Sequence, residues 1–253
     1  MREDTSGDRL SDSVDAGEIA RFAALAEEWW EPKGKFRPLH ALNPTRLAFI
    51  RQRLVSHYGR DGNQPRPFEG LSLLDVGCGG GLLTEPMARL GAGVLGIDAG
   101  AEAIRVAGAH AKESGLAIDY RCLTAEALAA EGHRFDAVLN MEVVEHVADL
   151  DAFLSASCTL LKPGGAMVVA TLNRTAKAYA LAIVGAEYVL GWLPPGTHDW
   201  RKFVTPSELT ARLAKNGVKV TETTGVIYNP LSDRWTLSRD LGVNYMVFAI
   251  KEG

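Results

Sequence analysis

Three glycines, Gly77, Gly79 and Gly81, close the apolar run Leu73-Leu74-Asp75-Val76, with Cys78 between the first two. A buried strand turning sharply into a helix has this pattern. Glycines take backbone angles closed to other residues, leave no Cβ to hold a ligand off, and lead into a helix start whose N–H groups lack partners. A second apolar run, Val94-Leu95-Gly96-Ile97, ends in Asp98 and Ala99. An acid about twenty residues beyond the glycines, at the tip of the next strand, can accept both hydroxyls of a ribose. The pair describes an adenosine cradle. It does not separate a nicotinamide dinucleotide from S-adenosylmethionine, and a glycine turn alone also suits a tight bend that binds nothing.

Glu142, Glu145 and His146 stand at spacing i, i+3, i+4 after a further apolar run. On a helical turn all three share one face. Two carboxylates and an imidazole can hold Mg²⁺ or another divalent ion with positions left for substrate oxygens; the alternative is His146 acting as a metal-free base. Met141 ends the same run, where its thioether either packs on an adenine ring or fills the core. Ala125 and Glu126, after the third strand, face the adenine edge. Arg46 is placed in the first turn of a helix, where a cation gains nothing from the helix dipole, so it is either simply solvated or paired with a carboxylate.

Hydrophobic periodicity supplies the scaffold for these residues. Ile19, Phe22, Ala23, Ala26 and Trp30 recur at helical spacing over 18–30. Asn43 as N-cap and Pro44 at the first helical position start a second helix over 45–58, striped by Leu47, Ile50 and Leu54. After a loop at 59–67, strands over 71–76, 93–98, 117–123, 135–140 and 166–171 alternate with helices over 80–90, 100–114, 125–130 and 149–161. Such alternation predicts an α/β fold, a parallel sheet covered on both faces with ligands outside the carboxyl ends of its strands. A helix over 206–216 and two alternating runs, 218–227 and 243–250, predict an antiparallel pair at the sheet edge. A dehydrogenase would ordinarily continue into a second domain, so ending on this pair favours S-adenosylmethionine.

With 253 residues, 47% hydrophobic and 23% charged, the chain suits one large α/β domain. A net charge of −4 offers no attraction to phosphate backbones, so no nucleic acid partner is expected. Cys78, Cys122 and Cys158 fit neither a disulfide framework nor a zinc spacing, which points to a reducing cytoplasm. Residues 1–17, rich in Asp, Ser, Arg and Gly, predict a disordered tail, with 18–253 as a single domain carrying N-terminal helices in 18–58 and an insertion over 173–204.

Leu74-Asp75-Val76-Gly77-Cys78-Gly79, Phe135-Asp136-Ala137-Val138 and Leu161-Lys162-Pro163-Gly164-Gly165 resemble the motifs of class I S-adenosylmethionine-dependent methyltransferases. That resemblance implies a Rossmann-like fold, a seven-stranded and mostly parallel sheet with an antiparallel edge strand. Narrower matches are Trp29-Trp30, His40, Asn43-Pro44 with Arg46, Met141-Glu142-Val143-Val144-Glu145-His146 and Thr171-Leu172-Asn173-Arg174. Val184-Gly185-Ala186-Glu187-Tyr188, Gly196-Thr197-His198-Asp199 and Val243-Asn244-Tyr245-Met246 continue them. In these the chain resembles the ubiquinone biosynthesis O-methyltransferase family. The resemblance implies methylation of ring hydroxyls on polyprenylated catechol or hydroquinol intermediates at both O-methylation steps. It also implies a methionine carboxylate for Arg46, cofactor contacts from Gly77, Cys78, Gly79, Asp98, Ala99, Ala125, Glu126 and Met141, and a metal in part of the family. Another small phenolic acceptor is the alternative substrate.

No run reaches the ~18 apolar residues of a membrane span. The stretch 177–193 is apolar and aromatic, with Tyr179, Tyr188, Leu190 and Trp192, and is flanked by Lys177 and by Arg201-Lys202. It reads as a segment that docks on anionic lipid from the cytoplasmic side of the inner membrane, or as a lid over the substrate. His198 and Asp199, which close it, are candidates to line the substrate pocket. The expected partners are therefore the prenylated substrate, anionic lipids and other ubiquinone-biosynthesis enzymes.

Overall fold

The computed structural model describes residues 13–183, 199–229, 232 and 234–253. Eight strands lie among them: β1 (Ser72–Val76), β2 (Gly93–Asp98), β3 (Asp119–Cys122), β4 (Phe135–Met141), β5 (Leu161–Leu172), β6 (Val218–Asn229), β7 (Arg234–Ser238) and β8 (Asn244–Lys251). They form one sheet in the order β3-β2-β1-β4-β5-β8-β6-β7. The first five are parallel, and β8 runs antiparallel between β5 and β6. Residues of β1, β4 and β5 are buried almost throughout, as strands covered on both faces must be, which explains their continuous apolar runs.

Two differences from the expected sheet stand out. The closing pair does form, but β8 lies inside the sheet rather than at its edge. An eighth strand, β7, then hairpins onto β6 with Asn229 opposite Arg234. Its five residues alternate over too short a run to be legible as a strand in sequence, and Trp235 settles it by packing 5.3 Å from Tyr228.

One face of the sheet carries a core of Leu74, Val138, Met167 and Val247 beneath α5 (Ala125–Ala130), α6 (Leu150–Thr159) and α7 (Pro206–Lys215). The other buries Leu73, Leu139 and Val168 against Phe49, Ile50 and Leu54 of α2 (Arg37–His57) and Met87 of α3 (Thr84–Arg89). Register places the site. Val76 stands opposite Ile97 and Asn140, so the chain leaves β1, β2 and β4 at one end of the sheet, with the glycine turn, Asp98 and Met141 side by side.

Near the N-terminus the expected boundaries move. The helix expected over 18–30 is a shorter α1 (Ala16–Ala23), followed by a 3₁₀ turn, Ala26–Glu28. Asp15 caps it, accepting from the N–H groups of Gly17 and Glu18, so the helix starts ahead of residue 18; residues 1–12 lie outside the described residues. Ala26, Trp29 and Phe36 form a small third core with Leu82 and with Val106 of α4 (Ala101–Glu113), laid over the glycine turn. The second helix begins at Arg37, with Pro38 in its first turn, and runs through Pro44. Asn43 is therefore not a cap: its side chain donates instead to the carbonyl of Leu82, a tertiary partner invisible to local spacing. Helix α3 also starts late, at Thr84 rather than 80.

Candidate functional site

A cavity of about 270 Å³ opens at the carboxyl ends of the strands, close to the lower end of the size range of small-molecule sites. Arg46, Gly77, Cys78, Gly79, Asp98, Ala99, Ala125, Glu126, Met141, Glu142, Glu145 and His146 all line it. The expected residues thus meet in one place.

The glycine turn has the backbone its spacing predicts, with φ of 68° at Gly77, 53° at Gly79 and 88° at Gly81. What its missing side chains make room for is in part protein. A Cβ at Gly77 would stand 2.8 Å from Cγ2 of Val143, and one at Gly80 would stand 2.5 Å from Cβ of Trp29. Trp29, stacked on Phe36 at 3.9 Å, lies across the turn as part of the cavity wall, and Trp30 Nε1 donates to the Gly80 carbonyl at 2.9 Å. Asp98 binds the turn from the other side: its carboxylate accepts from the Gly79 N–H at 3.0 Å and the Gly100 N–H at 2.8 Å. Burial pushes its carboxyl up, against the pull of those two bonds.

Beneath the turn, Asp75 is buried and accepts from Thr84 Oγ1 at 2.6 Å. Burial raises its carboxyl to about 6, although the Thr84 bond and Arg46 act the other way. Arg46 is only 4% exposed. It lies in the interior of α2 rather than in a first turn, because that helix starts nine residues earlier, at Arg37. Its guanidinium donates to Asn43 Oδ1 at 3.2 Å, while its Nε is buried with no partner among the described residues. Burial lowers its pKa, and the negative groups acting against that are Glu142 and Asp75. A buried, incompletely paired guanidinium in a cavity wall is chemically suited to a ligand carboxylate, a donor set that fits the amino-acid end of S-adenosylmethionine.

The expected metal triad does not form. Glu142 has φ 57°, a left-handed backbone rare outside glycine, and the chain that follows turns without becoming a helix. Spacing i, i+3, i+4 therefore does not place the three side chains on one face. Glu145 accepts from Thr171 Oγ1 at 2.8 Å; burial, then the charge of Glu142, push its carboxyl well up. His146 points elsewhere, with Nδ1 3.2 Å from Glu18 Oε2 and its ring edge-on to Phe22 at 5.3 Å. Among the described residues no three His, Cys, Asp or Glu side chains gather to hold an ion, so the expected three-donor set is not assembled.

Sequence reasoning missed Glu18 altogether and saw Trp29 only as part of a motif. The one available signal for α1 was Asp15 ahead of a helical stripe. Asp199 does not line the cavity: it caps the 3₁₀ turn Trp200–Lys202 and binds Arg201 at 2.8 Å. His198 lies outside the described residues, as does 184–193 with Tyr188, Leu190 and Trp192. Of the insertion's described part, Tyr179 and Leu181 are about half exposed, and Trp200 is also exposed. No described helix is long and apolar enough to cross a membrane.

Comparison with known proteins gives the family and the fold. A family model described as "Methyltransferase domain" matches residues 74–169, from β1 to β5. A ubiquinone biosynthesis O-methyltransferase of Parvibaculum lavamentivorans is 63% identical over 237 residues, covering 94% of both chains. One from Chelativorans sp. is 62% identical over 239 residues, again covering 94% of both. The structure of magnesium protoporphyrin IX methyltransferase from Synechocystis, with bound SAH, superposes with a TM-score of 0.63 at 19% identity, over 93% of this chain and all of the other. At that identity the likeness is one of fold, the Rossmann-like methyltransferase fold.

Proposed function

The chain belongs to the ubiquinone biosynthesis O-methyltransferases, and from that premise we propose that its cavity holds S-adenosylmethionine against a polyprenylated catechol or hydroquinol and methylates a ring hydroxyl at both O-methylation steps. The observation that carries this reading is Arg46, a buried guanidinium with an unpaired donor in the same cavity as the ribose-reaching Asp98. Arg46 would hold the methionine carboxylate and Asp98 the ribose. Met141, Ala125 and Glu126 would enclose the adenine, with Gly77, Cys78, Gly79 and Ala99 forming the floor.

S-adenosylmethionine supplies an electrophilic methyl group when bound. The protein's task is to deliver a nucleophilic oxygen. A phenol of pKa about 10 is mostly protonated at neutral pH, so attack needs a base within reach. His146 is that base in this reading: it lines the cavity, and a carboxylate on Nδ1 makes Nε2 the proton-accepting nitrogen. Glu142 and Glu145, near enough to act on each other, would hold the neighbouring ring oxygen. Their proximity also favours a second reading in which these two carboxylates alone bind a divalent ion.

The prenylated tail belongs in lipid. Tyr179, Leu181 and Trp200 are exposed, with Lys177 and Arg201 near them in sequence, a composition suited to shallow insertion among anionic headgroups. We take these exposed side chains to meet the inner membrane from the cytoplasm, where other ubiquinone-biosynthesis enzymes would also work.

The test is product analysis with methyl-labelled S-adenosylmethionine and two acceptors, a short-chain demethylubiquinol and an unprenylated catechol. Label in the ring ether of the quinol is the expected result. Methylation of the unprenylated catechol alone would replace the proposed substrate with a soluble phenol.

A further inference from the structure

Helix α1 forms part of the cavity wall; none of its residues is fully buried, and besides packing Phe22 against the third core it is held by specific polar bonds. Asp15 binds Lys202 at 2.8 Å, and the Ser13 carbonyl accepts from the Ala148 N–H at 2.7 Å. The third bond is different in kind. Glu18 and Phe22, four residues apart and so on one helical face, both address His146: the carboxylate on Nδ1 at 3.2 Å, the ring edge-on at 5.3 Å. Both members of the Glu18–His146 pair have side chains only 14% exposed. A helix stapled merely for stability has no need of the imidazole that lines the reaction cavity.

We infer that Glu18, carried on the N-terminal helix, is the positioning residue for the His146 base, so that the base is fully assembled only when this helix is docked on the cavity. The inference rests on the reading of His146 as base. A carboxylate accepts but does not donate, so the proton lies on Nδ1 and Nε2 is left as the acceptor nitrogen; Phe22 limits rotation of the ring. Burial works to raise the Glu18 carboxyl, but the His146 hydrogen bond and nearby cationic charge, including Arg21 and Lys202, hold it below the usual glutamate value. The other two bonds place α1, while Glu18 selects the tautomer.

The experiment is a double-mutant cycle on the full chain with the short-chain quinol acceptor. Glu18→Ala is expected to lower kcat about 30-fold, with KM for both substrates changed less than twofold. Glu18→Gln, which keeps a carbonyl acceptor for Nδ1–H, should recover at least fivefold of that loss. His146→Asn should lower kcat about 100-fold or more. Adding Glu18→Ala to His146→Asn should then cost nothing further, because the two act as one unit. A Glu18→Ala loss carried by KM, or one that multiplies with His146→Asn, would reduce Glu18 to a structural staple and overturn the inference while leaving the base in place. Full activity of His146→Asn would remove the base itself, and the inference with it.

Discussion

A Cβ at Gly79 would lie 2.4 Å from Cη2 of Trp29, closer than any packed side chain tolerates, and Gly79 itself has φ 53°. Two residues fifty positions apart thus require each other's shape. Gly79→Ala should destabilise the protein by about 2–4 kcal/mol, from the left-handed backbone plus the clash. Urea unfolding of Gly79→Ala, Trp29→Ala and the double variant would measure it. The double variant should cost less than the sum of the singles, since removing the indole removes the clash.

Arg46→Met should weaken S-adenosylhomocysteine binding by about 2–3 kcal/mol, the scale of a lost charge-assisted pair. Methylthioadenosine, which lacks the amino-acid carboxylate, should bind the variant as well as the parent. Calorimetry with both ligands separates the two; equal weakening would show that Arg46 supports the cavity rather than the carboxylate. The unliganded variant should be no less stable, because an imperfectly paired buried cation is replaced by an apolar side chain of similar length.

Exhaustive chelation should leave methyl transfer intact, because His146 is bound to Glu18 and does not join Glu142 and Glu145 around an ion. Activity lost on chelation and restored by Mg²⁺, Mn²⁺ or Zn²⁺ would instead establish the two-carboxylate site.

Asp136 accepts from the Ser72 N–H at 2.8 Å and Oγ at 2.6 Å, and binds Lys162 Nζ at 2.9 Å. Burial opposes ionisation, but those bonds outweigh it and hold the carboxyl below its ordinary 3.8. A folded pKa below the unfolded one means stability that is complete above the unfolded value and fades as pH falls through the folded one. Asp136→Asn should therefore cost about 1–3 kcal/mol at pH 7 and much less near pH 2, read from denaturant midpoints at the two pH values.

Replacing Tyr179, Leu181 and Trp200 by serine should reduce binding to vesicles containing anionic lipid and activity on a long-chain quinol. Cofactor affinity and activity on a water-soluble analogue should be spared. Equal losses on both acceptors would identify the segment as a lid.

Much of the site is local and so was legible in sequence. Positive φ at Gly77, Gly79 and Gly81 follows from residue type and spacing, the βαβ alternation from the period of burial, and the meeting of Asp98 with the turn from parallel register. Sequence motifs also pointed to the family that the close relatives establish. Tertiary structure decided what spacing could not. The i, i+3, i+4 argument for Glu142, Glu145 and His146 assumed a helix, and the left-handed backbone at Glu142 removed it. Asn43 had the residue type of a cap and became a bridge to Leu82 because the helix began earlier. The partner of His146 came from 128 residues away, and the cover on Gly79 from fifty, because packing free energy chooses contacts by shape and burial wherever the chain brings them together, with no trace in nearest-neighbour chemistry.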